Sequence, residues 1–273
     1  MINNKQKEYR ALGIIGWHEI DLKEQMRPSA FMNIIQELAN NHASKLKFGY
    51  NELIKMDQVW VLSRLKIKFK KYPKWGDKYN IFTWHKGKHG LFGLRDFALF
   101  INNDSKNKTS VSKNNIDSAD IVATSSWVII NTQTRRIERN NVFNISKEVQ
   151  SMAKYLNAIG EPCDKLYIPD NLTYSGTHKI LYSDIDFNMH TNNAKYLEWI
   201  MDDISIEFQK EHELCEIQIN YITESKAGEE IELYNSINSS NINKDNSDIP
   251  NIEMFYEGRF NDKVIFQAKL LWK

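Results

Sequence analysis

Cysteine is nearly absent, with only Cys163 and Cys215 in 273 residues, far apart and outside any metal-ligand spacing. That excludes a disulfide framework and gives no sign of a zinc site. Proline is sparse at five residues, and the eleven glycines form no phosphate-binding loop. Gly87-Lys-His-Gly90 reads as a hairpin turn instead. Neither sign of charge is in excess: Lys and Arg number 36 against 35 Asp and Glu, a net of +1. A dedicated nucleic-acid binder carries a basic surplus, so that class is excluded. No apolar run reaches the length of a bilayer-spanning helix, and six of the first eight residues are polar. Neither a signal peptide nor a membrane span is expected, and the chain is expected to be cytoplasmic. His18, His42, His85, His89, His178 and His212 are scattered without ligand spacing, so neither a metal nor another cofactor is expected.

What is present is a globular composition, 41% hydrophobic and 12% aromatic, long enough for one large domain or two ordinary ones. The main pattern is an internal repeat of about 130 residues, each copy a short strand, a long helix and four strands. In the first copy the strand is expected around Gly16–Leu22 and the helix from Pro28-Ser29, both favourable at a helix start. Phe31, Ile34, Ile35, Leu38, Ala39, His42/Ala43 and Leu46 form its buried stripe, and Gly49 is its expected stop. Strands are expected at Val59–Lys70, Lys78–His85, Phe92–Ile101 and Ile121–Asn131. In the first of these, Leu65, Ile67 and Phe69 alternate with Lys66, Lys68 and Lys70. Asn102–Asp120 reads as a solvated excursion.

The second copy is expected to run from a strand at His178–Ser183 into a helix at Asn193–Phe208. That helix has the stripe Leu197, Ile200, Met201, Ile204 and Phe208. The strands Glu216–Thr223, Glu229–Ser236, Glu253–Arg259 and Val264–Trp272 follow, with a polar loop at Asn235–Asn251. The connecting segment, about Asn140–Tyr174, holds a helix capped by Ser146 and a turn at Gly160–Asp164. The order of elements implies an α+β architecture of two units, each a long helix buried in a curled antiparallel sheet.

The chemistry concentrates in Asp184–Tyr196, just before the second helix. A helix start offers unpaired N–H groups and the positive end of a dipole, which suit a developing anion. Asp186, Asn188 and His190 occupy alternate positions, so an extended approach would point all three the same way. Matching Met26 with Met189 sets Lys23, Gln25 and Arg27 opposite that trio, which leaves the first copy without an acid-amide-histidine set. Glu224, at the end of the strand Glu216–Thr223 and just before the turn Ser225–Gly228, is the candidate carboxylate. Bland roles compete with these readings. Asn192 or Asn193 suits an N-cap, Asp184 and Asp186 suit turn amides, and Glu224 suits an exposed strand end. Arg95-Asp96 and Arg135-Arg136 read as salt-bridging or solvated.

Several runs together resemble a known family. They are Trp60-Val-Leu-Ser-Arg-Leu65, Tyr72-Pro-Lys-Trp-Gly-Asp77, Thr83-Trp84, Gly93-Leu-Arg-Asp96, Ala123-Thr-Ser-Ser-Trp-Val128 and Thr134-Arg-Arg136. With Asp186-Phe-Asn-Met-His-Thr-Asn-Asn-Ala-Lys-Tyr196 and Tyr221-Ile-Thr-Glu-Ser225, they are similar to the acyl-acyl carrier protein thioesterases of plastids and bacteria. The resemblance covers the chain from about Trp17 onward. It implies a tandem double hotdog: residues 1–140 as the acyl-binding domain, 141–173 as a linker and 174–273 as the domain with the catalytic residues. It also implies hydrolysis of an acyl thioester on the phosphopantetheine arm of acyl carrier protein, with Asp186, Asn188, His190 and Glu224 as the catalytic set. Ser225 stands where the family often has cysteine, so a thiol nucleophile there is excluded.

The mechanism expected on this basis has Glu224 as general base, or as nucleophile, and Asp186 as an orienting group. N–H groups near His190–Asn192 would hold the oxyanion, helped by Asn188 or His190. The acyl chain is expected beside Phe31–Leu46 and the Leu65, Ile67 and Phe69 face. The acidic carrier protein is expected on the basic face Lys66, Lys68, Lys70, Lys71 and Lys74. The tandem mimics a hotdog dimer internally, so a monomer or a homodimer is expected, with neither nucleic acid nor membrane as partner. Competing readings are a coenzyme A thioesterase of the same fold, a hotdog dehydratase (poorly matched, with Ile204 where its acid belongs) and a non-catalytic acyl-binding module.

Overall fold

The computed structural model describes residues 8–102, 109–138, 156–160, 163–240 and 251–273. It falls into two compact units, Met1–Cys163 and Asp164–Lys273. In the first unit five antiparallel strands run in the order β1-β3-β4-β5-β2. They are β1 (Tyr9–Ile14), β2 (Gln58–Phe69), β3 (Lys78–His89), β4 (Phe92–Ile101) and β5 (Ile121–Asn131). Helix α1 (Pro28–Lys45) lies on one face and buries Phe31, Met32, Ile35, Leu38, Ala39, His42 and Ala43. Leu65, Ile67 and Phe69 of β2 are buried beneath it, with the Phe31 and Phe69 rings edge to face.

Four expectations for this unit are corrected. The first strand is Tyr9–Ile14, not Gly16–Leu22. Trp17–Glu19 instead curls into a 3-10 turn, because the Glu19 carboxylate accepts the Gly16 N–H at 2.6 Å. Gly49 does not stop α1. Lys47 takes the left-handed conformation, φ 63°, and Phe48 N–H reaches back to the Ala43 carbonyl. Gly49 starts the short α2 (Tyr50–Leu53), and a Cβ there would meet the Ser44 backbone at 2.8 Å. The hairpin turn is Gly90-Leu91, because β3 continues to His89 across a bulge between His85 and Gly87. The Asn102–Asp120 segment is not wholly solvated: Val111, Ile116 and Ala119 are buried against Phe82, Trp84, Phe100 and Val122.

On the opposite sheet face of this unit, Leu156, Ala158 and Ile159 pack against Phe82, Trp84, Ala98 and Phe100. Trp84 Nε1 donates to the Leu156 carbonyl at 3.1 Å, and Asp96 accepts the Ala158 N–H at 2.8 Å. Lys86 Nζ lies 3.4 Å from the buried Asp96, and Arg64 donates to the Cys163 carbonyl at 2.9 Å. Asp96 is thus the salt-bridging residue the sequence suggested. The expected helix capped by Ser146 lies outside the described residues.

The second unit repeats the plan in the order β7-β10-β9-β8-β6. Its strands are β6 (Thr173–Lys179), β7 (Leu214–Tyr221), β8 (Glu230–Ser240), β9 (Asn251–Phe260) and β10 (Lys263–Trp272). The expected helix Asn193–Phe208 is two helices, α3 (Asn193–Asp203) and α4 (Ile206–Glu211). Ile204 turns extended and buried, and Ser205 caps the new start by accepting the Phe208 N–H. The apolar stripe runs straight across the break, so periodicity alone reads it as one helix. Strand β6 begins five residues before the expected His178, and Tyr182–Asp184 is a 3-10 turn.

Candidate active site

The two units approach their long helices through the same loop. Asp186 N–H donates to the His190 carbonyl at 2.8 Å and Met189 N–H to the Asp186 carbonyl at 3.1 Å. The Asp186 carboxylate accepts the N–H groups of Asn188 (2.9 Å) and His190 (3.3 Å). In the first unit Asp21 does the same for Lys23 (2.8 Å) and Gln25 (3.0 Å), with Asp21 N–H on the Gln25 carbonyl at 2.8 Å. Met189 (φ 64°) and Glu24 (φ 59°) hold equivalent left-handed corners. The duplicate register therefore pairs Asp21 with Asp186, Lys23 with Asn188 and Gln25 with His190. Matching Met26 to Met189 was two residues out, because Met26 pairs with Thr191. Both residues bridge back to an isoleucine, Ile20 and Ile185 respectively. The first unit does keep the acid of the trio. It lacks the amide and the histidine.

This loop is not extended, so Asp186, Asn188 and His190 do not form the aligned row that their spacing suggested. Asp186 turns inward and fixes the backbone, as a turn-forming aspartate does. Asn188 stays exposed. His190 alone reaches Glu224: its Nε2 lies 3.3 Å from Glu224 Oε2, with both side chains part-exposed. The turn carrying Glu224 is duplicated too. Thr191 N–H donates to the Ser225 carbonyl at 2.9 Å as Met26 N–H does to Pro73 at 2.9 Å. Lys226 N–H is held by the Glu229 carboxylate as Lys74 N–H is held by that of Asp77. Glu224 thus corresponds to Tyr72, and the pair His190–Glu224 corresponds to Gln25 and Tyr72, which cannot exchange protons near neutrality.

Beneath Glu224 lies a network that spacing did not reveal. The fully buried Ser225 hydroxyl is 2.8 Å from both the Thr191 and Tyr196 hydroxyls, and Thr191 Oγ1 also donates to the Ser225 carbonyl. Burial pushes the Tyr196 phenol up, and the Glu224 charge adds to the shift. Tyr221 donates to the Asn193 carbonyl at 3.1 Å and ties β7 to the start of α3. Ser225 therefore clamps the Glu224 turn to the start of the helix. Thr191 and Tyr196 lie inside the quoted signature, which was the available signal.

The backbone N–H groups expected to hold an oxyanion are already used. Those of His190, Thr191 and Asn192 donate to Asp186 Oδ1, the Ser225 carbonyl and the Asp184 carbonyl. Asn192 caps α3 by accepting the Ala194 N–H at 2.9 Å. Asp184 accepts the Leu181 N–H and lies 3.2 Å from His178 Nε2. The side-chain amide of Asn188 is exposed in the same loop. Among the described residues no His, Cys, Asp and Glu cluster could hold a metal. No described helix is long and apolar enough to cross a membrane.

Two helix-on-sheet units in sequence, with an imidazole–carboxylate pair at the helix start of the second, define a tandem hotdog protein. Residues 6–150 match the acyl-ACP thioesterase N-terminal domain, and residues 171–273 match the acyl-ACP thioesterase C-terminal domain. The chain belongs to the acyl-ACP thioesterase family. It is 28% identical over 242 residues to the chloroplastic palmitoyl-acyl carrier protein thioesterase of Gossypium hirsutum, covering 82% of this chain and 54% of that protein. It is 26% identical over 227 residues to oleoyl-acyl carrier protein thioesterase 1 of Arabidopsis thaliana, covering 78% and 59%. The chain spans about half the length of the curated relatives it matches. An acyl-ACP thioesterase from Bacteroides thetaiotaomicron has the same fold, with TM-score 0.81, 23% identity and full coverage of both chains. So does the 12:0-ACP thioesterase of Umbellularia californica, with TM-score 0.77, 20% identity and coverage of 97% and 94%.

Proposed function

We propose that the protein is a cytoplasmic hydrolase that releases fatty acid from acyl-acyl carrier protein, with its chemistry at His190 and Glu224. The carrying observation is the 3.3 Å approach of two titratable side chains that lie 34 residues apart in sequence. Glu224, oriented by His190 Nε2, takes a proton from water as the water attacks the thioester carbon. Asn188 donates to the oxygen that gains the negative charge, and a preorganised donor of this kind contributes roughly 3–4 kcal/mol. The C–S bond then breaks. The departing thiol has a pKa of about 8.5, so it leaves as thiolate with little assistance, and it recovers the proton lost by water. Asp186 is a positioning residue that acts through the backbone of Asn188 and His190.

The relatives' printed names, palmitoyl- and oleoyl-acyl carrier protein thioesterases, support the carrier-bound substrate. In this reading the first unit receives the acyl chain and the second performs the chemistry. The acidic carrier docks on basic side chains of the first unit. Of the five expected, Lys70, Lys71 and Lys74 are exposed, whereas Lys66 and Lys68 are half-buried. The test is Glu224→Gln assayed on acyl-acyl carrier protein. Turnover is expected to fall on the order of 10²–10⁴-fold with carrier binding and melting temperature retained. Turnover within a few-fold of wild type would remove Glu224 from the scheme.

A further inference from the structure

The sheet face under α1 changes character along the strands. Cross-strand register sets Phe69, Ile121, Leu99 and Ile81 in one row and Ile67, Ala123, Phe97 and Thr83 in the next. The third row is Leu65, Ser125, Arg95 and His85. The layer is thus apolar at one end and hydrogen-bonding at the other, and all twelve side chains are buried.

The polar end is rich in donors and poor in acceptors. Arg95 is 5% exposed, and its Nη1 donates to His42 Nδ1 at 2.9 Å and to Thr83 Oγ1 at 3.1 Å. Neither partner carries a negative charge, and no carboxylate pairs with Arg95 among the described residues. A buried guanidinium without an anion is costly, so such residues are normally paired. His85 stands directly across the strand pair from Arg95. Its Nδ1 accepts the Gly87 N–H at 3.0 Å, which leaves the ring proton on Nε2. That Nε2 is buried with no hydrogen-bond partner. Two neighbouring donors therefore lie side by side in a buried row, one a cation held only by neutral acceptors and the other without an acceptor.

We propose that Arg95 and His85 form a binding site for an acceptor oxygen on the distal part of an aliphatic acyl chain, such as a hydroxyl, carbonyl or carboxylate. The apolar rows would take the methylenes and the polar row the oxygen. The proposal rests on the reading that the first unit receives the acyl chain, and it adds a chemical class to that substrate. Burial holds His85 neutral and so keeps it a single-proton donor, while Arg95 supplies the charge. A site built around such donors rejects the analogue that lacks the oxygen, because its own groups are then left unpaired.

The experiment measures kcat/KM for carrier-bound acyl chains of one matched length, either unsubstituted or bearing a terminal hydroxyl or carboxylate. Wild type is expected to favour the oxygenated chains by on the order of 10²-fold or more. Arg95→Met and, separately, His85→Phe should bring that ratio toward unity. A wild-type ratio of one or below overturns the proposal, as does a ratio that survives both substitutions while the rates fall in parallel. If wild type hydrolyses none of the esters, the hydrolase reading fails and binding decides. Calorimetry with a long-chain dicarboxylic acid against the matching monocarboxylic acid should show tighter diacid binding that His85→Phe abolishes. Equal binding of the two acids, including a monoacid held by its own carboxylate, overturns the distal-oxygen site.

Discussion

The duplicated loop lets one substitution be compared with its own structural control. Asp186→Ala removes the acceptor of two backbone N–H groups, at 2.9 and 3.3 Å, and Asp21→Ala removes the same pair at 2.8 and 3.0 Å. Loss of a side-chain acceptor from such a loop costs about 0.5–2 kcal/mol, and the part-exposed setting favours the middle of that range. A destabilisation of about 1 kcal/mol is expected for each, a fall of roughly 3–6 °C in melting temperature for units of this size. Activity should separate the two. Asp186 holds the backbone of Asn188 and His190, so its loss should lower kcat about 10²-fold through misplacement of both side chains. Asp21 holds Lys23 and Gln25, which have no part in the chemistry, so its loss should leave kcat within about two-fold. Calorimetric melting and steady-state hydrolysis of one acyl-acyl carrier protein, run on both variants, give the two readouts. Equal losses of kcat in the two variants would refute the assignment of the chemistry to the second loop.

Acidification should destabilise the first unit through His85, whose protonation is pushed down to about 3 by burial and then by Arg95. The unfolded chain binds that proton near pH 6.5, so the contribution is complete above pH 6.5 and is lost as pH falls toward 3. It amounts to roughly 5 kcal/mol. Asp96 works the other way. Burial pushes it up to about 6 against the pull of Lys86, so its contribution is present at low pH and is lost as pH rises through 6. Denaturant titrations from pH 3 to 7 should show a shallower acid-side fall in His85→Phe, and an unchanged slope would contradict the buried neutral imidazole. Gly258→Ala should cost about 1–3 kcal/mol, since a Cβ there would stand 2.2 Å from the Phe266 ring; a melting temperature equal to wild type would show that the ring can move aside. Charge reversal of Lys71 and Lys74 should raise KM for acyl-acyl carrier protein several-fold at low salt and weaken its salt dependence; an unaltered salt slope would place docking elsewhere.

Local rules carried most of the architecture. The alternation of Leu65, Ile67 and Phe69 and the 3.6-residue stripe from Phe31 to Ala43 depend on near neighbours and on burial of one face, and both can be read from spacing. Two helix-on-sheet units follow from that order of elements. Where apolar periodicity misled, a side-chain cap or a distant packing contact that periodicity does not register had intervened. Glu19 curls a would-be strand by capping Gly16, Ser205 restarts a helix that the apolar stripe makes continuous, and the buried Val111, Ile116 and Ala119 anchor a segment that looks purely polar.

The sequence by itself determined that Asp186, Asn188, His190 and Glu224 were the residues to watch, because their types and motif are properties of the chain. Only the tertiary structure decided which of them meet and which hold the backbone. Whether a carboxylate faces a reacting centre or its own backbone depends on where the chain turns, and here one left-handed residue, Met189, turns Asp186 inward. That His190 meets a glutamate 34 residues onward, while Gln25 and Tyr72 hold the matching places in the first unit, follows from how strand β7 and helix α3 pack. No pattern of spacing records that distance.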